Sequence, residues 1–189
     1  MPCKNNNERD WVLIDLLRQR RSIRQYLAKQ IDEEKIKILE EALLRSPSSR
    51  NFNPWEFIFV QDGDLIEKLS RCKQHGSAFL KNAPLAIVVI GDSTKSDVWI
   101  EDCSIASILV QLTAQSLSLG SCWVQIRLRD HNESKTSERY IQEIFKIPEH
   151  LRVESVIGIG YPAEKRDGLA FEKLEHDRIH CNTFGCHDR

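Results

Sequence analysis

The run Leu85-Ala86-Ile87-Val88-Val89-Ile90 contains six consecutive apolar residues without polar alternation. A strand with one face in solvent alternates apolar and polar residues, so a continuous and largely β-branched run indicates a strand buried on both faces. We therefore predict a central strand at residues 85–90. The rest of the sequence can be placed around it.

Strand and helix patterns are interspersed on both sides of this run without strict alternation, which favours an α+β domain. Aromatic and β-branched runs predict further strands at residues 55–60, 122–126 and 153–159. Apolar residues at helical spacing predict helices at about residues 10–20 and 99–117, and shorter helices after Asp32, after Gly63 and around Ile141. Asp10 and Asp32 are expected to cap the first two helices. The segment 127–133 is polar and predicted to be irregular.

The composition excludes several classes of protein. The 189 residues are 41% hydrophobic and 29% charged, with a formal net charge of -1, which is ordinary for a soluble domain. Nucleic-acid and membrane-surface proteins need a basic footprint, so neither partner is expected. The longest apolar run is also far too short to span a bilayer.

The cysteines and the first residues suggest a compartment. Met1 to Asn7 contains no apolar region typical of a signal peptide, so we expect a cytoplasmic protein whose six cysteines stay reduced. The sequence shows neither repeats nor a low-complexity linker. We expect one domain over residues 1–189, with a frayed segment at residues 1–9.

Three arginines and a serine lie within five residues in the stretch Arg20-Arg21-Ser22-Ile23-Arg24-Gln25-Tyr26. Each guanidinium presents a planar fork of donors that matches phosphate oxygens, so this density suits a single phosphate group. The alternative is a solvated charge run that closes a helix, where arginine complements the carbonyl end of the dipole. Composition alone favours that alternative.

A second stretch changes this balance: Pro47-Ser48-Ser49-Arg50-Asn51-Phe52-Asn53-Pro54-Trp55. Together the two stretches resemble the signatures of the nitroreductase family of flavin-dependent oxidoreductases, Arg-Arg-Ser-x-Arg-x-Tyr/Phe and Pro-Ser-x-x-Asn-x-Gln-Pro-Trp. Asn53 stands where the second signature has Gln. The resemblance continues through Asn82-Ala83-Pro84, residues 117–123 and residues 158–164, and it covers nearly the whole chain after the first dozen residues.

The resemblance implies a fold and an assembly. The family fold is a mostly antiparallel sheet between helix layers, in an intertwined homodimer. The C-terminal extension, residues 163–189, would then pack on the partner. Its lack of a regular period agrees with such a role.

The resemblance also implies a set of FMN-binding residues. The phosphate and ribityl chain would be bound by Arg20, Arg21, Ser22 and Arg24. Residues of the other subunit would approach the same flavin, namely Pro47, Ser48, Ser49 and Asn51. Backbone amides near Gln125 and Ile126 would face the flavin N5 edge, although an ordinary core strand explains them equally well. Lys165 or Arg166 would complete the phosphate site.

No side chain is predicted to be catalytic, because the flavin carries the hydride chemistry and the protein supplies binding and orientation. The implied function is an FMN-dependent oxidoreductase that passes a hydride from NAD(P)H to an electron-poor acceptor, such as a nitroaromatic or quinone, by a ping-pong cycle. Two alternatives stay open. One is a related flavin enzyme that performs reductive dehalogenation or flavin breakdown, and the other is a non-enzymatic flavin-binding module.

The C-terminus concentrates metal-ligand types, with His176, His180, Cys181, Cys186 and His187. The spacing of the two cysteines lies within the range of zinc ligands. The side chains of adjacent residues diverge, however, so the paired positions suit one metal ion poorly. No metal site is expected.

Overall fold

The structure is a computed structural model that describes residues 12–187. These residues form two compact units, residues 21–166 and residues 12–20 together with 167–187. The predicted cap Asp10 and the segment 1–9 lie outside the described residues. Within residues 12–187, no helix combines the length and the apolar character needed to cross a membrane.

The larger unit contains six strands, of which four form its main sheet. The strands are β1 (Trp55–Val60), β2 (Leu85–Asp92), β3 (Gly120–Gln125), β4 (Asp130–Asn132), β5 (Lys135–Thr136) and β6 (Leu151–Gly160). The main sheet is antiparallel throughout, in the order β1-β2-β6-β3. All eight residues of β2 are buried, which confirms the prediction of a central strand. β4 and β5 pair in a small hairpin, so the prediction that residues 127–133 are irregular was wrong for residues 130–132.

Helices cover both faces of this sheet. They are α2 (Glu33–Leu44), α3 (Gly63–Ser70), α4 (Trp99–Ser116) and α5 (Ser137–Phe145). Successive residues of β2 point to opposite faces and belong to two separate apolar cores. Ile87 and Val89 pack in the core that includes residues of α2 and α4, and Val88 and Ile90 pack in the core that includes residues of α3 and α5. The α+β prediction is therefore confirmed.

Helix α2 shows where the sequence pattern succeeded and where it failed. Ile36, Leu39 and Leu43 are buried along one face, as their spacing predicts. Asp32 precedes the helix with an extended backbone, but its side chain makes no hydrogen bond to the helix. Its carboxylate instead accepts the hydroxyl proton of Tyr161 at 2.7 Å, and this bond lowers the pKa of Asp32. The expected side-chain cap was wrong because a tertiary donor takes its place.

The smaller unit contains helix α1 (Val12–Gln19) and two short 3-10 turns, Phe171–Lys173 and His176–Arg178. In residues 167–187, these two turns are the only helices, and no strand is present. The large apolar side chains of the smaller unit remain substantially exposed in the single chain: Leu13, Leu17, Leu174, Ile179 and Phe184.

Two opposed glycines let the segment after α1 lie close to the sheet. Gly120 of β3 and Gly160 of β6 are partners in the strand register. A Cβ atom at Gly120 would lie 2.7 Å from Cβ of Ile23, and one at Gly160 would lie 2.6 Å from Cδ of Pro84 and 2.9 Å from Tyr26. Such separations lie well inside van der Waals contact, so the packing of Ile23 and Tyr26 requires both glycines.

We expect Gly160→Ala and Gly120→Ala each to lower the free energy of unfolding by about 1–3 kcal/mol, as overpacking does in a filled core. Urea unfolding at a fixed protein concentration measures this. Gly63→Ala is the matched control, because a Cβ there meets no atom within 4 Å and the residue begins α3. Wild-type stability in both sheet variants would show that the segment does not depend on the glycine pair.

Candidate functional site

The stretch that follows Arg20 is fixed to the sheet by its main chain. The Ile23 N–H donates to the Ser121 carbonyl at 3.0 Å, at the start of β3. The Leu27 N–H donates to Tyr161 O at 2.9 Å, and the Gln25 carbonyl accepts from Ala163 N–H at 2.9 Å. Residues 22–27 therefore lie between the start of β3 and the end of β6. We call them the anchored segment.

The buried side chain of Tyr26 also holds this segment against the sheet. Its ring is 8% exposed, and its hydroxyl oxygen lies 2.7 Å from the Ile23 carbonyl and 3.1 Å from the Gly158 carbonyl. Burial, followed by the nearby Cys122, raises the pKa of the Tyr26 hydroxyl far above its ordinary value. The hydroxyl therefore stays protonated and acts as a donor to the main chain.

A carboxylate closes the other side of the anchored segment. Glu164 Oε1 accepts the N–H groups of Arg24 at 2.6 Å and Gln25 at 3.2 Å. Its second oxygen accepts from Arg166 Nε at 2.8 Å. The Arg24 amide and then the Arg166 guanidinium lower the pKa of Glu164. The charge of Glu164 thus holds two segments together that are far apart in the sequence.

These contacts bring together most of the residues predicted for the phosphate. Arg21, Ser22 and Arg24 lie on or beside the anchored segment, and Lys165 and Arg166 follow Glu164. The Arg24 and Lys165 side chains are exposed, and Arg166 is paired with Glu164. Arg20 ends the N-terminal part of the smaller unit, where its N–H continues α1 by donating to the Leu16 carbonyl at 2.8 Å.

The second predicted loop is held by its own polar side chains and by α4. Asn53 N–H donates to Ser48 Oγ at 2.9 Å, and Ser48 Oγ donates to Asn53 Oδ1 at 2.7 Å. Ser49 N–H donates to Asp102 Oδ1 at 2.9 Å. Pro47 leads into this turn, and both Asn51 and Asn53 adopt left-handed conformations, with φ of 58° and 47°. Asn tolerates this conformation better than most residues with longer side chains.

The far end of β3 carries the third predicted group. Gln125 Oε1 accepts from Trp123 Nε1 at 3.0 Å, and its amide nitrogen donates to the Arg127 carbonyl at 3.0 Å. Lys73 Nζ lies 3.4 Å from the Gln125 carbonyl, and partial burial lowers the pKa of Lys73. At about 3.3 Å per residue, Gln125 lies about 13 Å along β3 from Ser121.

Both main-chain polar groups of Ile126 make hydrogen bonds within the larger unit. Its side chain is fully buried in the core beside α3 and α5. Its N–H donates to the Glu154 carbonyl at 3.0 Å, and its own carbonyl accepts from Arg129 N–H at 3.1 Å. The core-strand interpretation therefore describes Ile126, and we do not include it in the proposed site.

Sequence reasoning missed the environment of Glu154. The register between β2 and β6 pairs Val89 with Ser155 and Ile90 with Val153, so Glu154 is the extra residue of a β-bulge. Glu154 is only 2% exposed. Its carboxyl group accepts a hydrogen bond from Ser104 Oγ at 2.5 Å. Burial raises the pKa of Glu154 to about 7, although hydrogen bonds from Ser104 and Ser155 and the charge of Arg127 oppose the rise. A single acidic residue inside an apolar strand pattern was the signal available in the sequence.

The described residues also bear on the C-terminal histidines and cysteines. Within residues 12–187, no group of three or more His, Cys, Asp or Glu side chains is arranged to hold a metal ion. The Cys181 N–H donates to the Cys186 carbonyl, so the two cysteines lie close to each other.

The family model for the nitroreductase family matches residues 17–73 and 70–161. The chain belongs to the nitroreductase family. Its fold matches the structure of an FMN-dependent nitroreductase from Clostridium difficile, with a TM-score of 0.89 and 44% identity over 90% of this chain and 99% of that one. Two relatives named "Putative NADH dehydrogenase/NAD(P)H nitroreductase" come from Methanothermobacter thermautotrophicus and Archaeoglobus fulgidus. They are 37% and 36% identical over 89% and 88% of this chain, and over 85% and 95% of their own lengths.

We expect Glu154→Gln to gain stability relative to the wild type as the pH rises from about 5 to about 8, by up to about 3 kcal/mol. The pKa of Glu154 is about 7 in the folded chain against an ordinary 4.5. Between these values the folded protein keeps a proton that the unfolded chain has released. The stability of the wild type therefore falls with rising pH in this window, whereas Gln cannot ionise.

Urea unfolding at several pH values, at one protein concentration, measures this difference. Glu133→Gln is the control, because Glu133 is exposed in the turn between β4 and β5. A difference between Glu154→Gln and the wild type that is constant from pH 5 to pH 8 would contradict the raised pKa of Glu154.

Proposed function

We propose that this nitroreductase-family protein is an FMN-dependent oxidoreductase that takes a hydride from NAD(P)H and passes it to an electron-poor small molecule. The observation that carries this proposal is the anchored segment. Its main chain is hydrogen-bonded to β3, to the residues that follow β6 and to Glu164, and it presents Ser22 and Arg24 beside Lys165 and Arg166.

The donor set fits the phosphate of FMN. Guanidinium and ammonium groups make charge-assisted hydrogen bonds to phosphate oxygens, and a dianion accepts several of them at once. The Glu164 carboxylate lies among these cations, but its two oxygens are already engaged by two amides and Arg166. The remaining positive charges of the larger unit therefore favour an anion at Arg21, Ser22, Arg24 and Lys165.

The direction of β3 supports the placement of the flavin ring. An extended cofactor that begins with its phosphate at Ser121 and follows the strand would bring its ring system toward Gln125 and Lys73. Lys73 would add a positive charge near that end. Bound FMN supplies the hydride transfer, and the residues of this chain bind and orient it.

The proposed cycle is ping-pong, in which the nicotinamide donor leaves before an acceptor such as a nitroaromatic or quinone enters the same pocket. The sequence has no Gly-x-Gly-x-x-Gly motif for a separate dinucleotide site. A single pocket over the flavin is therefore sufficient for both substrates. We place this reaction in the cytoplasm.

We further propose that the working unit is a homodimer with two shared flavin sites. Helix α4 carries apolar residues on more than one face: Val110 and Ala114 are buried within the chain, yet Ile105 and Ile108 are 40% and 38% exposed. An exposed apolar face of a helix is normally covered by another surface. A second copy would cover this exposed face. The loop of Pro47, Ser48, Ser49 and Asn51, which is bonded to α4 at Asp102, would then approach the flavin of the partner.

The purified protein should release FMN when it is denatured, and Arg24→Ala should weaken FMN binding by at least ~1.5 kcal/mol, or roughly tenfold, because one charged hydrogen-bond partner is lost. The fold should survive, since the Arg24 side chain is exposed. Flavin fluorescence titration gives the dissociation constant. Arg139→Ala is the control, because Arg139 lies on α5 in exposed ion pairs with Glu143 and Glu149. Protein that takes up no flavin after incubation with FMN would overturn the proposed function.

The dimer should depend on the C-terminal segment. Removing the chain from Leu174 onward deletes Leu174, Ile179 and Phe184, which are exposed in the single chain and suit an apolar interface above ~2,000 Å². We expect this truncation to lose both dimerisation and flavin, measured by light scattering and absorbance. A shorter truncation that removes only residues 187–189 should retain both. A full-length monomer with one FMN per chain would refute the shared sites.

A further inference from the structure

The last turn of the described chain brings together two cysteines that the proposed flavin chemistry does not use. Cys181 and Cys186 are both free and partly exposed. The Cys181 N–H donates to the Cys186 carbonyl at 2.6 Å. This bond closes the loop between them and limits the distance between their Cα atoms.

The limit follows from bond lengths. Standard N–Cα, C=O and Cα–C lengths, added to the hydrogen-bond distance, keep the two Cα atoms within about 6.8 Å of each other. Disulfide-bonded cysteines have Cα atoms roughly 4.4–6.8 Å apart. The distance between the two Cα atoms therefore lies within the range found for disulfides.

The loop holds this geometry with its own residues. Asn182 and Gly185 adopt left-handed conformations, with φ of 62° and 87°, which Asn and Gly tolerate best. Thr183 N–H donates to the Cys181 carbonyl at 2.7 Å, and Cys186 N–H donates to the Thr183 carbonyl at 3.2 Å. The approach of the cysteines is thus encoded within six residues.

The other cysteines with described positions behave differently. Cys72 and Cys103 are fully buried, and Cys122 is 1% exposed. Burial raises the pKa of the Cys72 thiol to about 11 and that of Cys103 still further, which disfavours the reactive thiolate. In the single chain, Cys181 and Cys186 are therefore the described thiols that are partly exposed.

We propose that Cys181 and Cys186 form a reversible intramolecular disulfide by exchange with a small-molecule disulfide such as oxidised glutathione. The thiolate of one cysteine attacks the glutathione disulfide, forms a mixed disulfide and releases one glutathione thiolate. The second cysteine, as its thiolate, attacks the protein sulfur of the mixed disulfide and releases the second glutathione. The two cysteines are oxidised, one glutathione disulfide is reduced to two thiols, and the two protons pass to the released thiolates.

The test uses the full-length protein with a chelator present, equilibrated in glutathione buffers from reducing to oxidising. Acid quenching and alkylation of free thiols without reduction precede trypsin digestion. Cleavage after Arg178 gives one peptide, Ile179 to Arg189, that contains both cysteines and no internal cleavage site. We expect this peptide to lose both alkylation sites together and to be two hydrogens lighter than the dithiol, while peptides with Cys72 and Cys103 remain alkylated.

Cys181→Ser and Cys186→Ser are the matched controls, since each leaves one thiol in the same loop. Each variant should accumulate a stable mixed disulfide with glutathione, which the wild type should resolve. Two glutathiones on one wild-type peptide, disulfides between chains, or unmodified thiols throughout the oxidising buffers would each overturn the proposal. The readout is independent of bound flavin and of enzyme activity.

Discussion

The larger unit depends on the close approach of the anchored segment to the ends of β3 and β6. That approach is possible because Gly120 and Gly160 face each other in the register and leave room for Ile23 and Tyr26. Main-chain bonds to Ser121 and Tyr161 then fix the segment, and the buried Tyr26 hydroxyl satisfies carbonyl groups beneath it. The position of Arg24 is therefore a consequence of sheet packing. The proposed phosphate site would therefore be organised before any ligand arrives, which lowers the ordering cost of binding.

Two glutamates of the larger unit have pKa values displaced in opposite directions. Glu164 is held ionised by two amides and Arg166, so its stabilising effect is present at neutral pH and is lost only as the pH falls below the ordinary glutamate range. Glu154 is buried in the bulge with Ser104, which favours its neutral form up to a pH of about 7. At neutral pH, Glu164 therefore acts as a fixed negative charge. The carboxyl group of Glu154 is largely protonated below a pH of about 7 and acts as a hydrogen-bonding group.

The sequence correctly predicted the helices and strands that a local apolar pattern and strong burial determine. The unbroken run of β2 and the apolar face of α2 gave the right elements, because each buries a continuous surface whatever its neighbours are. The predictions failed where the structure depends on contacts that the local sequence pattern does not show. Asp32 looks like a cap, but Tyr161, distant in sequence, supplies its hydrogen bond. Residues 130–136 are polar, yet they pair as a hairpin through the main chain. Glu164 was visible in the sequence, but its bonds to Arg24 and Gln25 depend on contacts between residues about 140 positions apart.

In the anchored segment, the groups that attach it to the sheet differ from the groups that would recognise a ligand. Its attachment uses amides, carbonyls and the buried Tyr26, none of which a change of an exposed side chain removes. Recognition of an anion would use the side chains of Arg24 and Lys165, which are exposed. Substitutions at these side chains can therefore alter affinity on an unchanged main chain, whereas a Cβ at Gly160 displaces the main chain and the side chains together. Glu164 is the exception, because one carboxylate serves both the main chain of the segment and the neighbouring Arg166.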